Sequence, residues 1–256
     1  MGESFITSRG YGYSKITFNI YPTELVKRTT IALSKGRYEL AATTVGGYAL
    51  FGGGIDASGR SIVVDSYSTS LVRRTPTSLS EGRRALAATT VGGYALFGGG
   101  YGTSGRSIVV DSYSTSLVRR TPTPLSEGKD SLAATAVGGY ALFGGGYGTS
   151  SSIVVDAYDT SLVRSTPTSL SEGRHALAAT TVGGYALFGG GYGTSDFYNA
   201  LVDAYTTRGN TSLTVYPGTR YKLWDMQNEL TATTMQTLTG SLPLTGYIKV
   251  KKANVD

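Results

Sequence analysis

Residues Leu40–Gly54 read LAATTVGGYALFGGG, and the same stretch returns at Leu86–Gly100, Leu132–Gly146 and Leu177–Gly191 with one substitution, Ala136 in place of threonine. One module is present in four tandem copies. The valines opening each Val-Gly-Gly-Tyr turn, Val45, Val91, Val137 and Val182, are spaced by 46, 46 and 45 residues. That period is in the range of propeller blades, in which each repeat is one supersecondary unit that cannot bury its apolar faces alone.

Within a copy, short β-branched and aromatic runs are punctuated by Gly, Ser and Pro clusters, the pattern of consecutive short strands. In the second copy the reading is a first strand Leu86–Val91, a Gly92-Gly93 hairpin turn, a second strand Tyr94–Phe97, a third strand Ser107–Ser114 and an outer strand Leu117–Thr121. Gly-Gly suits the positive φ angles of a primed two-residue turn. Pro122 ends the outer strand, and Pro76 and Pro167 recur at the same place, where proline blocks edge pairing. The fold class is therefore all-β.

These residues resemble kelch repeats. The resemblance rests on Arg37, Arg83, Lys129 and Arg174 before the first strand, the glycine triplets after the second, and Asp65-Tyr67, Asp111-Tyr113, Asp156-Tyr158 and Asp203-Tyr205 on the third. It covers Leu33–Tyr205 and implies a β-propeller with one four-stranded blade per repeat. The tryptophan usual on the kelch outer strand is replaced here by residues such as Leu71, Val72 and Arg73. Near-identical tandem copies, with no oligomerisation domain ahead of them, look more like bacterial or phage-encoded kelch-like proteins than like the adaptor members.

The two ends of the chain supply a count of blades. Tyr13–Arg37 lines up with Ser61–Arg83 but has no first or second strand before it, so it reads as half a blade. Glu229–Met235 echoes Glu39–Val45, and Gly246–Lys251 can stand in for the second strand. The expectation is a single five-bladed propeller over residues 1–256: a half blade at 1–32, four full blades at 33–217 and closing strands at 218–256. Such closure leaves no open sheet edge between blades. The alternative is a four-bladed ring with residues 218–256 as a separate tail.

Composition narrows the function. With 1 His and 0 Cys, zinc and copper constellations lack ligands, which excludes the kelch-type copper oxidases, and alternating-Asp calcium loops are absent. No metal and no cofactor are expected. The recurrent Asp65, Asp111, Asp156 and Asp203 read as hydrogen-bonding groups at a turn or the next loop. MGESFITSRGYGYSK has no apolar core of a signal peptide and no run is long enough for a transmembrane helix, so neither secretion nor membrane insertion is expected, and a virion or cytoplasmic location is.

The net charge of +6 concentrates on the outer strands. Lys27-Arg28, Arg73-Arg74, Arg119-Arg120 and Arg164 fall at equivalent places, joined by Lys249, Lys251 and Lys252, and form an expected basic belt. Repeated charge on an outer strand serves solvation and edge protection first. No interleaved aromatics accompany it, so nucleic acid is not favoured as a partner; neighbouring virion subunits are the alternative.

The copies differ most at the residue after the basic one, which is Tyr38, Arg84, Asp130 and His175 in turn. In a blade whose strands alternate up and down, this position and the loop after the second strand emerge on one face. Those loops add Ile55, Tyr101, Tyr147 and Tyr192, with Arg60 and Arg106 in two of them and Asp196, Phe197 and Tyr198 in the last. Tyrosines with scattered charge suit a sugar or protein surface, and kelch ligands often bind at a face of this kind. The expected function is a non-enzymatic binding or structural module, such as a virion or cell-surface component that docks a protein or glycan there. The enzymatic rival is a glycan-active five-bladed propeller, which needs two converging carboxylates; the candidates at the start of the first strands are Glu39, Asp130 and Glu229.

Overall fold

The computed structural model describes residues 4–5, 16–17, 25–194, 198–215, 220–223, 228–231, 236–243 and 250–252. The chain divides into two units, Met1–Ile31 and Ala32–Asp256. In the first, Ser4–Phe5 pairs antiparallel with Ile16–Thr17.

The second unit carries the repeats as consecutive antiparallel sheets. The first sheet orders Ala41–Val45, Tyr48–Gly52, Val64–Ser68 and Arg73–Arg74 from one edge to the other, and the second orders Ala87–Val91, Tyr94–Gly98, Val110–Ser114 and Arg119–Arg120 the same way. The third follows with Ala133–Val137, Tyr140–Gly144, Val155–Tyr158 and Arg164–Ser165, and the fourth has three strands, Ala178–Val182, Tyr185–Gly189 and Val202–Tyr205. Register repeats between copies: Phe51 faces Asp65, Phe97 faces Asp111, Phe143 faces Asp156 and Phe188 faces Asp203.

Third and outer strands are shorter than the sequence suggests. The Ser107 hydroxyl accepts the Val109 amide at 3.0 Å, turning the chain locally, so the third strand begins at Val110. At the other end Leu117 sits at φ 59°, in the left-handed region, and only Arg119–Arg120 remains of the outer strand.

The cores lie between sheets rather than within them. Ala41, Val45, Leu50 and Val64 of the first sheet pack with Ala95, Phe97 and Tyr113 of the second, while Leu96 and Val110 face onward to Ala141, Phe143 and Tyr158 of the third. The second strand is thus buried on both faces, which explains why Tyr-Ala-Leu-Phe shows no apolar–polar alternation. The glycine that ends this strand makes the stacking possible. A Cβ on Gly52 would stand 2.8 Å from the Phe97 ring, and one on Gly98 or Gly144 would stand 2.7 Å from Phe143 or Phe188. Each phenylalanine also meets a tyrosine of its own sheet edge-on, as Phe97 does Tyr113 at 5.9 Å between centroids.

A buried charge pair braces each sheet. Arg83 donates to the carbonyls of Gly99 (2.9 Å), Val109 (2.6 Å) and Phe97 (3.4 Å) and to the Asp111 carboxylate at 2.6 Å. Arg37 holds Asp65 in the same way, Lys129 faces Asp156, and Arg174 bonds Asp203. Burial lowers Arg37, Arg83 and Lys129 below their ordinary values, and the partner carboxylate works against that shift. Asp111 also accepts the Ser80 amide at 3.2 Å, so the expected bond to a loop is present, but the ion pair is the larger part of its role.

The exposed ends of the array differ from its middle. Val91 and Val137 are 5% and 7% exposed, whereas Val182, their equivalent on the fourth sheet, is 60% exposed. After the fourth sheet, Arg208–Val215 pairs with Gln236–Pro243, and Arg220–Leu223 runs between Asn228–Thr231 and Val250–Lys252. The two closing strands read from sequence are thus set apart by Arg220–Leu223 over the parts described, 229–231 and 250–251. The remainder of both segments, and most of 13–24, lies outside the described residues. Among the described residues no helix is long and apolar enough to cross a membrane.

Candidate functional site

Each variable residue lies directly across from a loop residue of its own copy. Tyr38 bridges Ile55, Arg84 bridges Tyr101, Asp130 bridges Tyr147, and His175 pairs with Tyr192. The two sets of residues singled out in the sequence are therefore brought together on one face. A clue was present: each pair is separated by 17 residues (38 to 55, 84 to 101, 130 to 147, 175 to 192).

The backbone beneath this face is continuous from copy to copy. Glu39, Ala85, Ser131 and Ala176, each one residue after the variable position, have φ of 55°, 50°, 52° and 52°. A left-handed conformation costs a non-glycine residue about 1–2 kcal/mol, so surrounding bonds must hold it. They do: the Ala85 amide donates to the Glu39 carbonyl at 3.0 Å, Ser131 to Ala85 at 2.9 Å, and Ala176 to Ser131 at 2.8 Å. The loops are seated equally closely. The Arg60 carbonyl lies against Gly82 of the next linker, where a Cβ would come within 2.4 Å of it.

On this frame the side chains form a row that crosses the copies. The guanidinium of Arg60 lies 4.9 Å from the centroid of Tyr101, a ring belonging to the following copy, and Arg84 and Arg106 lie 5.4 and 5.9 Å from the same ring. Arg106 also covers Tyr147 at 4.5 Å. His175 then sits 5.1 Å from both Tyr147 and Tyr192, its Nδ1 3.0 Å from the Ser151 hydroxyl. All of these ring-to-cation distances are within the reach of cation–π attraction. Tyr38 stands at the start of the row, 60% exposed. Tyr198 is exposed, and Asp196 and Phe197 lie outside the described residues.

The acids of the face are engaged by its arginines. Glu39 accepts from Arg84 at 2.6 Å, a hydrogen bond that raises Arg84 above an arginine's ordinary value, and Asp130 pairs with Arg106 at 3.1 Å while accepting from Ser131 at 2.9 Å. Two carboxylates each held by a guanidinium are suited to positioning loops. The side chain of Glu229 lies outside the described residues.

The basic belt is thinner than the sequence suggests, because alternate residues of an outer strand face the sheet. Arg119 and Arg164 reach back to Asp111 and Asp156, both at 2.9 Å, and Arg73 donates to the Ala32 carbonyl at 3.0 Å. Arg74 and Arg120 remain exposed, as do Lys27 and Arg28.

Fold and face together define an all-β protein of repeated four-stranded antiparallel sheets with a cationic and aromatic rim. No protein-family model matches the chain, and no curated protein matches it.

Proposed function

We propose that this chain is a non-enzymatic binding module, a kelch-like propeller that docks a protein or glycan surface through the loop face and serves as a virion or cell-surface component. The observation that carries the reading is the row Arg60–Tyr101–Arg106–Tyr147–His175–Tyr192, which places aromatic and charged groups from successive copies side by side on a rigid frame. Variation that is greatest at such a face, on otherwise near-identical sheets, is the arrangement of a scaffold carrying a recognition surface. Replacing Tyr101, Tyr147 and Tyr192 together with alanine should abolish binding on a glycan and protein array while leaving the melting curve nearly unchanged. Retained binding by that variant would overturn the reading.

The proposal includes a ring of five sheets, the fifth drawn from the two ends of the chain. Its support is the exposed flank of the fourth sheet, where Val182 is 60% exposed in a position that a following sheet covers elsewhere. Deleting residues 1–31 should then lower the unfolding midpoint sharply; an unchanged midpoint would count against closure and in favour of a separate tail.

A further inference from the structure

Resting on the loop-face reading above, we propose that the face recognises an anionic saccharide, with Arg60 receiving its carboxylate or sulfate group. The argument begins from what the tyrosines do. Tyr101 is not an empty platform for a sugar ring, because the Arg60 guanidinium already lies 4.9 Å from its centroid. A guanidinium stacked on an aromatic face keeps its N–H fork free at the edge, and that fork matches the oxygens of a carboxylate or sulfate. The ring therefore acts as a positioning residue that removes rotamer freedom from the arginine before a ligand arrives.

Charge accounting singles out Arg60. Of the three arginines around Tyr101, Arg84 is neutralised by Glu39 and Arg106 by Asp130. Among the described residues no carboxylate is within ion-pair distance of Arg60, and its side chain is exposed. Its backbone is fixed, since the Arg60 carbonyl is packed on Gly82. The result is a pre-set cation at one end of the row that has no protein counter-ion among the described residues.

The other end favours a saccharide over an acidic peptide. Tyr147 and Tyr192 are 36% and 40% exposed and flank His175, whose ring nitrogen meets the Ser151 hydroxyl. Flat rings and small hydroxyls fit the C–H faces and hydroxyls of sugar residues. Two cavities that would suit peptide side chains, one lined by Val137, Tyr140 and Pro167 and one by Thr44, Tyr48 and Leu71, lie away from this row, by the Val-Gly-Gly-Tyr turns.

The test measures binding of the full chain to four probes: a uronate-containing oligosaccharide, a sulfated one, a neutral one of equal length and a glutamate-rich peptide. One or both acidic saccharides should bind, more weakly as salt rises, and which of them binds identifies the anion. Arg60→Gln should weaken that binding roughly 10-fold or more. Tyr101→Phe should retain binding and Tyr101→Ala should lose it, with both variants melting as the parent does. Equal binding of the neutral saccharide, or no effect of Arg60→Gln, would overturn the inference and leave the loop-face reading standing. Preference for the peptide would overturn it in favour of a protein partner. Binding to none of the probes, nor to any array component, would overturn both.

Discussion

The Arg83 guanidinium lies 2.6 Å from the Asp111 carboxylate, and neither side chain touches solvent. Two charges withdrawn from water persist only when the surroundings answer them: here three carbonyls take the terminal nitrogens of the arginine, whose Nε has no hydrogen-bond partner among the described residues, and the Ser80 amide and hydroxyl and Arg119 donate to the aspartate. The pair ties the linker before the inner strand to the third strand, and so fixes where the variable residue Arg84 begins. Removing one partner strands the other. Asp111→Ala should destabilise the protein by about 3–5 kcal/mol in denaturant unfolding. Arg119→Ala removes a partly exposed partner of the same carboxylate and should cost at most about 1 kcal/mol; equal losses for the two variants would show that burial does not set the energy.

The third sheet carries a lysine at this place. Lys129 donates to Val154 at 2.9 Å and stands 3.5 Å from Asp156 Oδ2, an ion pair without a hydrogen bond, and that oxygen has no hydrogen-bond partner among the described residues. A point charge on a flexible stem cannot reproduce the fork that Arg83 spreads over four acceptors. Lys129→Arg should therefore raise stability by about 1–3 kcal/mol, read as a shift in denaturation midpoint at constant slope. A lower midpoint would show that the third sheet has adjusted its packing to lysine.

The repeat itself was legible in sequence because glycine turns and apolar strands return at a fixed spacing, and four sheets in register follow from that alone. The Arg–Asp pair is less plain. Arg83 and Asp111 stand out as recurring marks, but only their common separation of 28 residues, shared by Arg37 and Asp65, signals that they meet. The stacking of Arg60 on Tyr101 was beyond reach for a different reason. It joins residues of neighbouring copies, and in a near-identical array the sequence does not say whether a side chain turns to its own copy or the next. The chain ends depart from the repeat, so the template that predicted the four sheets supplied nothing for Arg220–Leu223.

Sheet stacking makes its own prediction at one glycine. Neither Gly98 nor Gly189 has a positive φ, so alanine is conformationally acceptable at both. At Gly98 the added methyl meets the buried Phe143 ring at 2.7 Å, whereas at Gly189 it meets Val202 at an ordinary 3.5 Å. Gly98→Ala should cost about 1–3 kcal/mol through overpacking, and Gly189→Ala separates the two arrangements of the chain ends: it should cost a similar amount where a fifth sheet covers the fourth, and stay within about 0.5 kcal/mol of the parent where residues 218–256 form a separate tail. A comparable loss at both would indicate that the fourth sheet is covered as tightly as the second.

Alkaline pH should unfold the protein through its buried tyrosines. Tyr113 and Tyr158 donate to the carbonyls of Thr77 and Thr123, both at 2.8 Å. Burial, reinforced by the neighbouring Asp111 and Asp156, pushes both phenols well above their ordinary value, and Tyr205, less enclosed, is pushed up to about 12. A phenol whose folded value is raised keeps its proton while the unfolded chain releases one, so above about pH 10 the unfolded state binds fewer protons and stability falls as pH climbs. Lys129 acts with the opposite sign: its lowered value means that the cost of burying its charge diminishes as pH approaches the ordinary lysine value. Arg37 and Arg83 are lowered too and share the sign of Lys129, but a guanidinium stays protonated in this range, so the three tyrosines set the slope above about pH 10 and it should be downward. Phenolate absorbance followed alongside circular dichroism provides the check. Exposed tyrosines such as Tyr38 should ionise first with the fold intact, and the buried phenols only as the sheet signal is lost; Tyr113→Phe should make the loss less steep. Smooth ionisation of every tyrosine while the sheet signal persists would contradict this account of the core.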